Sequence, residues 1–411
     1  MIEVKKLVPE LRFKGFDEGW NLHKLGELGT FKNGLNKDSS EFGHGSPFVN
    51  LMDVFGKSIL TESNFGLVNS NEKDKENYNL VKGDVLFIRS SVKRTGVGET
   101  ILVAHDIPNT VYSGFLIRFR DRNKELGLNF KSYCFSNAPF RKELLSYATS
   151  SANTNINQES LAQIKLFFPS LPEQQKIASF LSAVDEKIQQ LTRKKELLEQ
   201  YKKGVMQQLF SGKLRFKDEN GAEYPEWEVK RLGEVLDQQI REVKTPLVNY
   251  LAIGVRSHVK GTFQKPNSDP SKIAMDKLYI VHENDLIVNI TFAWEGAIAV
   301  VKKIDDGGLV SHRFPTYIIK ANHSTPEYFK HIILDKKFRL ILDLISPGGA
   351  GRNRVLSKKE FVKIKIHFPC IDEQQKIANF LSDIDKKIES NSQQINQTQT
   401  FKKGLLQKMF V

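Results

Sequence analysis

The segment Glu173-Gln-Gln-Lys-Ile-Ala178 recurs as Glu373-Gln-Gln-Lys-Ile-Ala378, 200 residues further along the chain. Between Glu173–Ile188 and Glu373–Ile388, 12 of 16 positions are identical, and the register holds without a gap from Lys165–Ser211 to Lys365–Val411. A period this long far exceeds the roughly 50 residues of solenoid repeats. The chain is an internal duplication: a variable globular part followed by a similar helix, built twice.

Weaker echoes carry the duplication upstream. Leu11-Arg-Phe-Lys14 and Trp20…Lys24-Leu25-Gly26-Glu27 return as Leu214-Arg-Phe-Lys217 and Trp227…Arg231-Leu232-Gly233-Glu234. Gly83–Ile88 answers to Asn284–Val288, and Phe140-Arg141 to Phe338-Arg339. Between these anchors the halves differ almost completely, as in Asn36–Gly45 and Ser90–Gly98. A shared frame with two divergent surfaces implies two related tasks on different targets.

The helix after Phe168-Pro-Ser-Leu-Pro172 is expected to run from about Pro172 to Lys203 or on to Phe210, with a capping box from Ser170 and Glu173. In the second copy Asp372 and Gln375 would take those roles. Apolar residues recur at steps of four and three: Ile177, Leu181, Val184, Ile188, Leu191, Leu198, Val205 and Leu209, interrupted by Lys195 and Lys202. The second series is Ile377, Leu381, Ile384, Ile388, Ile395, Leu405 and Met409. Such a 3.5-residue spacing is a coiled-coil signature. One helix cannot bury that seam alone, so the simplest arrangement packs the two copies together; docking of each helix on its own domain is the alternative. Each globular part reads as α+β, with strands at Asp84–Arg89, Phe115–Phe119, Asp285–Ile290, Ala297–Val301 and Thr316–Ile319 and helices at Phe130–Leu145 and Pro326–Leu344. The expected divisions are 1–168 and 212–368 for the globular domains, 169–211 and 369–411 for the helices.

A net charge of +13 points to an anionic partner. The basic residues are scattered through polar loops, which favours nucleic acid over membrane, and no apolar run reaches the roughly 18 residues that span a bilayer. Two cysteines, Cys134 and Cys370, in non-equivalent places exclude a disulfide framework and fit a reducing cytoplasm. The sequence has no phosphate-loop motif, no Gly-x-Gly-x-x-Gly after a strand, no His-Glu-x-x-His and no Asn-Pro-Pro-Tyr type tetrapeptide. The glycine-rich Gly348–Gly351 leads into Arg-Asn-Arg and is as much a turn as a DNA contact. Catalysis is not expected of this chain.

Polar, basic loops are the candidates for DNA contact, since phosphates take Lys, Arg and hydroxyls, while base edges take Arg, Asn, Gln, Lys and Glu. In the first half these are Arg89, Ser90, Ser91, Lys93, Arg94 and Thr95, with Asn153, Thr154 and Asn155 beyond Ser150-Ser151. In the second half they are Arg256, His258 and Lys260 with Lys265, Asn289 and Thr291, His312 and Arg313, and Arg352, Asn353 and Arg354. A solvated surface charge is the alternative for any one basic residue. The loops Arg89–Thr95 with Asn289–Trp294, and Asn153–Asn155 with Asn353–Val355, are read as equivalent pairs. Trp294 either stacks on DNA or fills core.

The tandem plan, with Phe-Pro-x-Leu-Pro-Glu-Gln-Gln-Lys-Ile-Ala-x-Phe-Leu-x-x-Val-Asp closing the first half, resembles the specificity subunit of type I restriction-modification systems over essentially the full length. The resemblance implies two pseudo-symmetric target-recognition domains separated by an antiparallel coiled coil of two long helices. Each domain would read one half of a bipartite, asymmetric DNA site. The helices would set the gap and dock two modification (methyltransferase) subunits, and Gln174, Ile177, Leu181, Val184, Ile188 and Leu198 with Gln374, Ile377, Leu381, Ile384, Ile388 and Ile395 are the candidates for helix pairing and docking. Restriction subunits would join the full complex. S-adenosylmethionine, ATP and magnesium would belong to those partners and none to this chain. A type IIB-like or nuclease-free adenine methylation system would use a similar subunit, and a coiled-coil scaffold joining two protein-binding domains is the reading from another class.

Overall fold

The computed structural model describes residues 7–61, 64–150, 153–348 and 354–411, apart from the side chain of Ser150. It divides into two compact units, 1–192 with 393–411 and 193–392. Each unit holds one globular part, the first half of one long helix and the last half of the other.

The duplicated anchors at the start and end of each globular part pair with each other. Asn21–Lys24 lies antiparallel to Lys165–Phe168, with Lys24 opposite Lys165; Glu228–Arg231 lies against Lys365–Phe368 in the same way. A short helix follows each first strand, Leu25–Leu28 and Leu232–Val235. Its first amide closes on the strand partner: Leu25 N donates to Ile164 O, Leu232 N to Ile364 O. The chain therefore leaves each domain where it entered.

Each domain is built on the same sheet. In the first unit the strand order is Gly29–Asn33, Leu116–Asp121, Val85–Ile88, Thr100–Val103 and the parallel Ile59–Leu60. In the second it is Leu236–Gln239, Thr316–Ile319, Leu286–Val288 and Ile298–Val300. The central strands Val85–Ile88 and Leu286–Val288 are buried at every residue, as a strand covered on both faces must be. Five strand runs expected from sequence lie where expected. The divergent stretches build different accessory sheets: Phe42–Val49 with Gly66–Val68 and Val111–Tyr112 in the first unit, and a five-stranded sheet centred on Leu309–Val310 and Tyr250–Val255 in the second.

Each helix expected over Phe130–Leu145 and Pro326–Leu344 is two helices: Lys131–Cys134 and Ala138–Tyr147, then Pro326–Ile332 and Lys336–Leu344. In the first unit Asn137 caps the second helix through Phe140 N, and Pro139 has no amide to continue the earlier one. In the second, Leu334 and Asp335 bond to carbonyls three residues back and close the turn.

The long helices span Leu171–Phe210 and Ile371–Lys408, passing through Gly204 and Gly404. The expected capping boxes do not form. The two Glu173 oxygens accept from Arg12 Nε and Nη2, both at 2.7 Å, and Glu373 accepts from Arg215 and from Trp227 Nε1. Asp372 lies inside the helix, where its charge suits the N-terminal dipole.

The seam residues pack as their spacing predicts. In the first unit Ile177, Leu181 and Val184 join Leu405 and Met409 in one core; in the second Ile377, Leu381 and Ile384 join Val205 and Leu209. Ile188, Ile388, Leu198 and Ile395 are half-buried. Lys402 reaches Asp185, and Lys202 reaches Asp385 at 2.6 Å. Lys202 and its counterpart Lys402 thus find acids across the seam, whereas Lys195 faces Glu199 on its own helix. In the first unit Leu11 N bonds Lys408 O while Arg12 bonds Glu173, so residues 173 and 408 share one end and the segments run antiparallel.

Gln174 and Gln374 correct an expectation. They were candidates for the pairing and docking surface, yet both are fully buried within their own units. Gln174 Nε2 donates to the Glu125 and Pro169 carbonyls and its Oε1 accepts from Gly127 N; Gln374 serves His323 O, Pro369 O and Ser324 Oγ. They fasten each helix to its own domain, because a buried amide must satisfy all its polar atoms.

Candidate nucleic-acid interface

In the first unit the two candidate loops form one surface. The buried strand ends at Ile88, and Arg89 joins the neighbouring chain through its own amide to Phe115 O and its carbonyl from Ile156 N. Ser90–Ser91 then pairs with Thr154–Asn155, placing Thr154 opposite Ser91 and Asn155 opposite Ser90. Beyond this pairing Val92, Lys93, Arg94 and Thr95 are exposed. The chain re-enters the fold at Gly98, whose φ of 66° is left-handed and whose added Cβ would lie 2.5 Å from Leu144, so only glycine fits.

Arg141 supports this loop from the helix beneath. Its Nη2 donates to Thr95 O (2.9 Å) and Val97 O (2.7 Å), and burial pushes its pKa down. Sequence reasoning saw Phe140-Arg141 and Phe338-Arg339 only as an echo. In the second unit Arg339 lies under the matching loop, its Cδ 3.6 Å from where a Cβ on Gly296 would stand. The loop encloses a cleft of about 540 Å³ against Leu51, Phe55, Glu99 and Phe115.

The second unit gathers its candidates around the equivalent loop. Arg256–Lys260 folds onto it: His258 N donates to Glu295 O, Val259 N to Gly296 O and Ser257 Oγ to Glu295 Oε2. His258 and Val259 hold left-handed backbones there. Arg313 Nη1 donates to Thr291 Oγ1, and His312 and Arg313 are exposed. Arg256 and Lys265 lie 5.2 and 5.5 Å from the Phe263 ring centre. A groove of about 750 Å³ runs past Ser257, Lys265, Asn267, Lys272 and Phe292. Lys260 is exposed beside this turn.

Two candidates serve from behind. Asn289 is buried, its Oδ1 accepting from Thr291 N. The reason is a register shifted by one from the sequence pairing. Ile156 N donates to Arg89 O and Leu356 N to Ile290 O, so Arg89 matches Ile290, and Asn289 matches the buried strand end Ile88. Arg354 is bound to Asp343 and Ser346 O, with its guanidinium 5.0 Å from the Trp294 ring centre. Trp294 is therefore half-buried scaffold. Arg352 and Asn353, and Gly349–Gly351 of the glycine-rich stretch, lie outside the described residues.

Among the described residues no His, Cys, Asp and Glu cluster could hold a metal ion, and no helix is long and apolar enough to cross a membrane. The arrangement is that of a binding surface: hydroxyls, amides and cations on short loops held by a rigid sheet.

The comparisons with known proteins agree with that class. The model of the family described as "Type I restriction modification DNA specificity domain" matches residues 17–200 and 224–399. This chain belongs to that family. It is similar to the putative type I restriction enzyme MjaX specificity subunit of Methanocaldococcus jannaschii, at 25% identity over 404 residues, covering 95% of this chain and 92% of the relative. The MjaVIII specificity subunit of the same organism is 23% identical over 316 residues, 72% of each. Among solved structures, the S subunit of a type I restriction-modification system from M. genitalium covers 98% of this chain and 99% of its own at a TM-score of 0.57 and 16% identity. The HsdS subunit from Thermoanaerobacter tengcongensis gives 0.50 at 15% identity, covering 96% of each. These two likenesses concern the fold.

Proposed function

We propose that this chain is the specificity subunit of a type I restriction-modification complex and does no chemistry itself. Each globular unit reads one half of a bipartite, asymmetric site in double-stranded DNA. The long helices set the gap between half-sites and dock two modification subunits, with restriction subunits joining the full assembly. S-adenosylmethionine, ATP and magnesium are then needs of those partners.

The observation that carries this reading is positional. At the end of the same buried strand, Ile88 in one unit and Asn289 in the other, each domain presents a loop of different sequence, with cations on the loop itself in the first (Lys93, Arg94) and on the segments folded against it in the second (Arg256, Lys260, Arg313). A common frame beneath divergent loops is what two readers of different sequences need. On this reading Lys93, Arg94, Lys260, Lys265 and Arg313 contact phosphates, and Ser90, Ser91, Thr154, Asn155 and Thr291 contact base edges. His258 and Arg256 flank the second surface.

The test is to express the chain with its modification subunit and map modified bases by long-read sequencing. A split site is expected, and replacing residues 30–150 with those of a relative should change one half of it only. A change in both halves would sink the independence of the two readers. Lys93→Ala and Lys260→Ala should each reduce the salt dependence of binding by about one phosphate contact without altering the sequence read.

A further inference from the structure

Val92 is an apolar residue in the middle of a polar, cationic loop, and 85% of it is exposed. Its position is nonetheless fixed on both sides. Ser91 is held by pairing with Thr154, and Thr95 and Val97 are held by Arg141. A β-branched side chain on a fixed backbone has little rotamer freedom left, so little is lost when it makes a contact. Apolar surface held in water gains on leaving it.

The cleft beside Val92 narrows the choice of occupant. Leu51, Phe55 and Phe115 give it apolar walls, and Phe115 is itself 57% exposed. Glu99, the one carboxylate among its lining residues, repels phosphate oxygens from the part of the cleft it faces. Lys93, which also lines the cleft, and Arg94 beside it attract the DNA backbone to the rim. A base edge is left to face the cleft. The edge that offers a methyl group beside hydrogen-bonding atoms is that of thymine in the major groove. The second unit's loop is shorter and also exposes an apolar side chain, Phe292, along its groove.

We propose that Val92 reads the C5-methyl group of a thymine in the half-site bound by the first unit. The proposal rests on the DNA-reading function above and deepens it. The methyl can be removed without disturbing any hydrogen bond, by placing deoxyuridine where thymidine stood. With the full chain assembled with its modification subunit, one such replacement in the first half-site should weaken binding about fourfold, the worth of one buried methyl group. In the Val92→Ser complex, which lacks both methyl groups of the valine, the same replacement should change binding less than twofold. Because Val92 lies in solvent, the variant should melt with the parent chain. A first half-site without thymine on either strand would overturn the proposal, as would an equal deoxyuridine effect in parent and variant. Sequence-dependent binding that survives either of those results leaves the function intact and removes only the role of Val92. Absence of sequence-dependent binding would overturn both.

Discussion

His331 and Tyr133 occupy matching positions in the two units, where a domain helix meets the first half of a long helix. Tyr133 Oη lies 3.1 Å from Ser182 Oγ and donates to Asp185; His331 Nε2 lies 3.3 Å from Ser382 Oγ. Burial pushes the His331 pKa down to about 4, with Lys202 and Lys330 adding repulsion and Asp385 and the Ala378 backbone opposing it. The unfolded chain takes up this proton near the ordinary histidine value of about 6.5, whereas the folded chain resists it until about pH 4. Stability is therefore fully present above about 6.5 and falls as pH drops toward 4. From this one group the loss between pH 7.5 and 5 should be about 2 kcal/mol. His331→Tyr copies the residue that the first unit already accommodates and should abolish that share. Denaturant midpoints of both chains at the two pH values decide it, and an unchanged pH dependence in the variant would refute the assignment.

The long helices are fastened by ion pairs that their own sequence pattern conceals. Glu373 is fully buried, and Arg215 is its charged partner at 2.8 Å. Arg215→Met should leave that carboxylate buried and unpaired, lowering stability by about 3 kcal/mol, whereas adding Glu373→Met should recover more than half. Additive losses from the two changes would show that the pair acts through packing alone. This clasp also marks where sequence reading stopped. Glu173 fits a capping box with Ser170 by spacing, and only the approach of Arg12 from a distant segment assigns it otherwise, as Arg215 does for Glu373. The heptad seam was legible as a local period of 3.5 residues, and the five strands as short β-branched or aromatic runs bounded by turn residues. The pairing of Asn21–Lys24 with Lys165–Phe168, the strand order and the junction of Ser90–Ser91 with Thr154–Asn155 were not, because they join residues far apart in the chain. The candidate loops of the first unit were found by composition. Arg141 was missed as a support, since an arginine inside a helix reads as solvated. The one-residue register error at Asn289 arose because the loop beyond it is shorter in the second unit: Ile88 N bonds Glu99 O, whereas Asn289 N bonds Ala297 O.

Across the molecule, the two units make the same joint between long helix and domain in different ways. In the second, the first long helix runs through Phe210 into Ser211-Gly212-Lys213, and Leu214 N turns back to donate to Gln208 O. In the first, Leu11 N donates to Lys408 O, the matching pair of positions, although these residues stand at opposite ends of the sequence. Around that junction Phe410 packs edge-on against Trp20 and stacks on Phe130, and Lys408 reaches Glu10 at 2.6 Å. The same joint is thus made once through the chain and once through contacts alone. A permuted chain should exploit this. It would begin at Gly212, run to Val411, continue through a Gly-Lys copy of Gly212-Lys213 into Leu11, and end at Ser211. Every residue of the two hydrophobic cores keeps its neighbours, at the cost of Pro9 and the exposed Lys408–Glu10 pair, and Met409–Val411 with the added Gly-Lys matches the five residues between Gln208 and Leu214. The permuted chain should therefore fold, melt within a few degrees of the parent and, with the modification subunit, direct methylation to the same split site. A permutation opened within the first helix between Lys195 and Glu196 should fail, because it cuts the ladder of hydrogen bonds that carries the seam. Loss of the split site in the first permuted chain would show that the two joints are not equivalent, and its retention in the second would show that the helix need not be continuous.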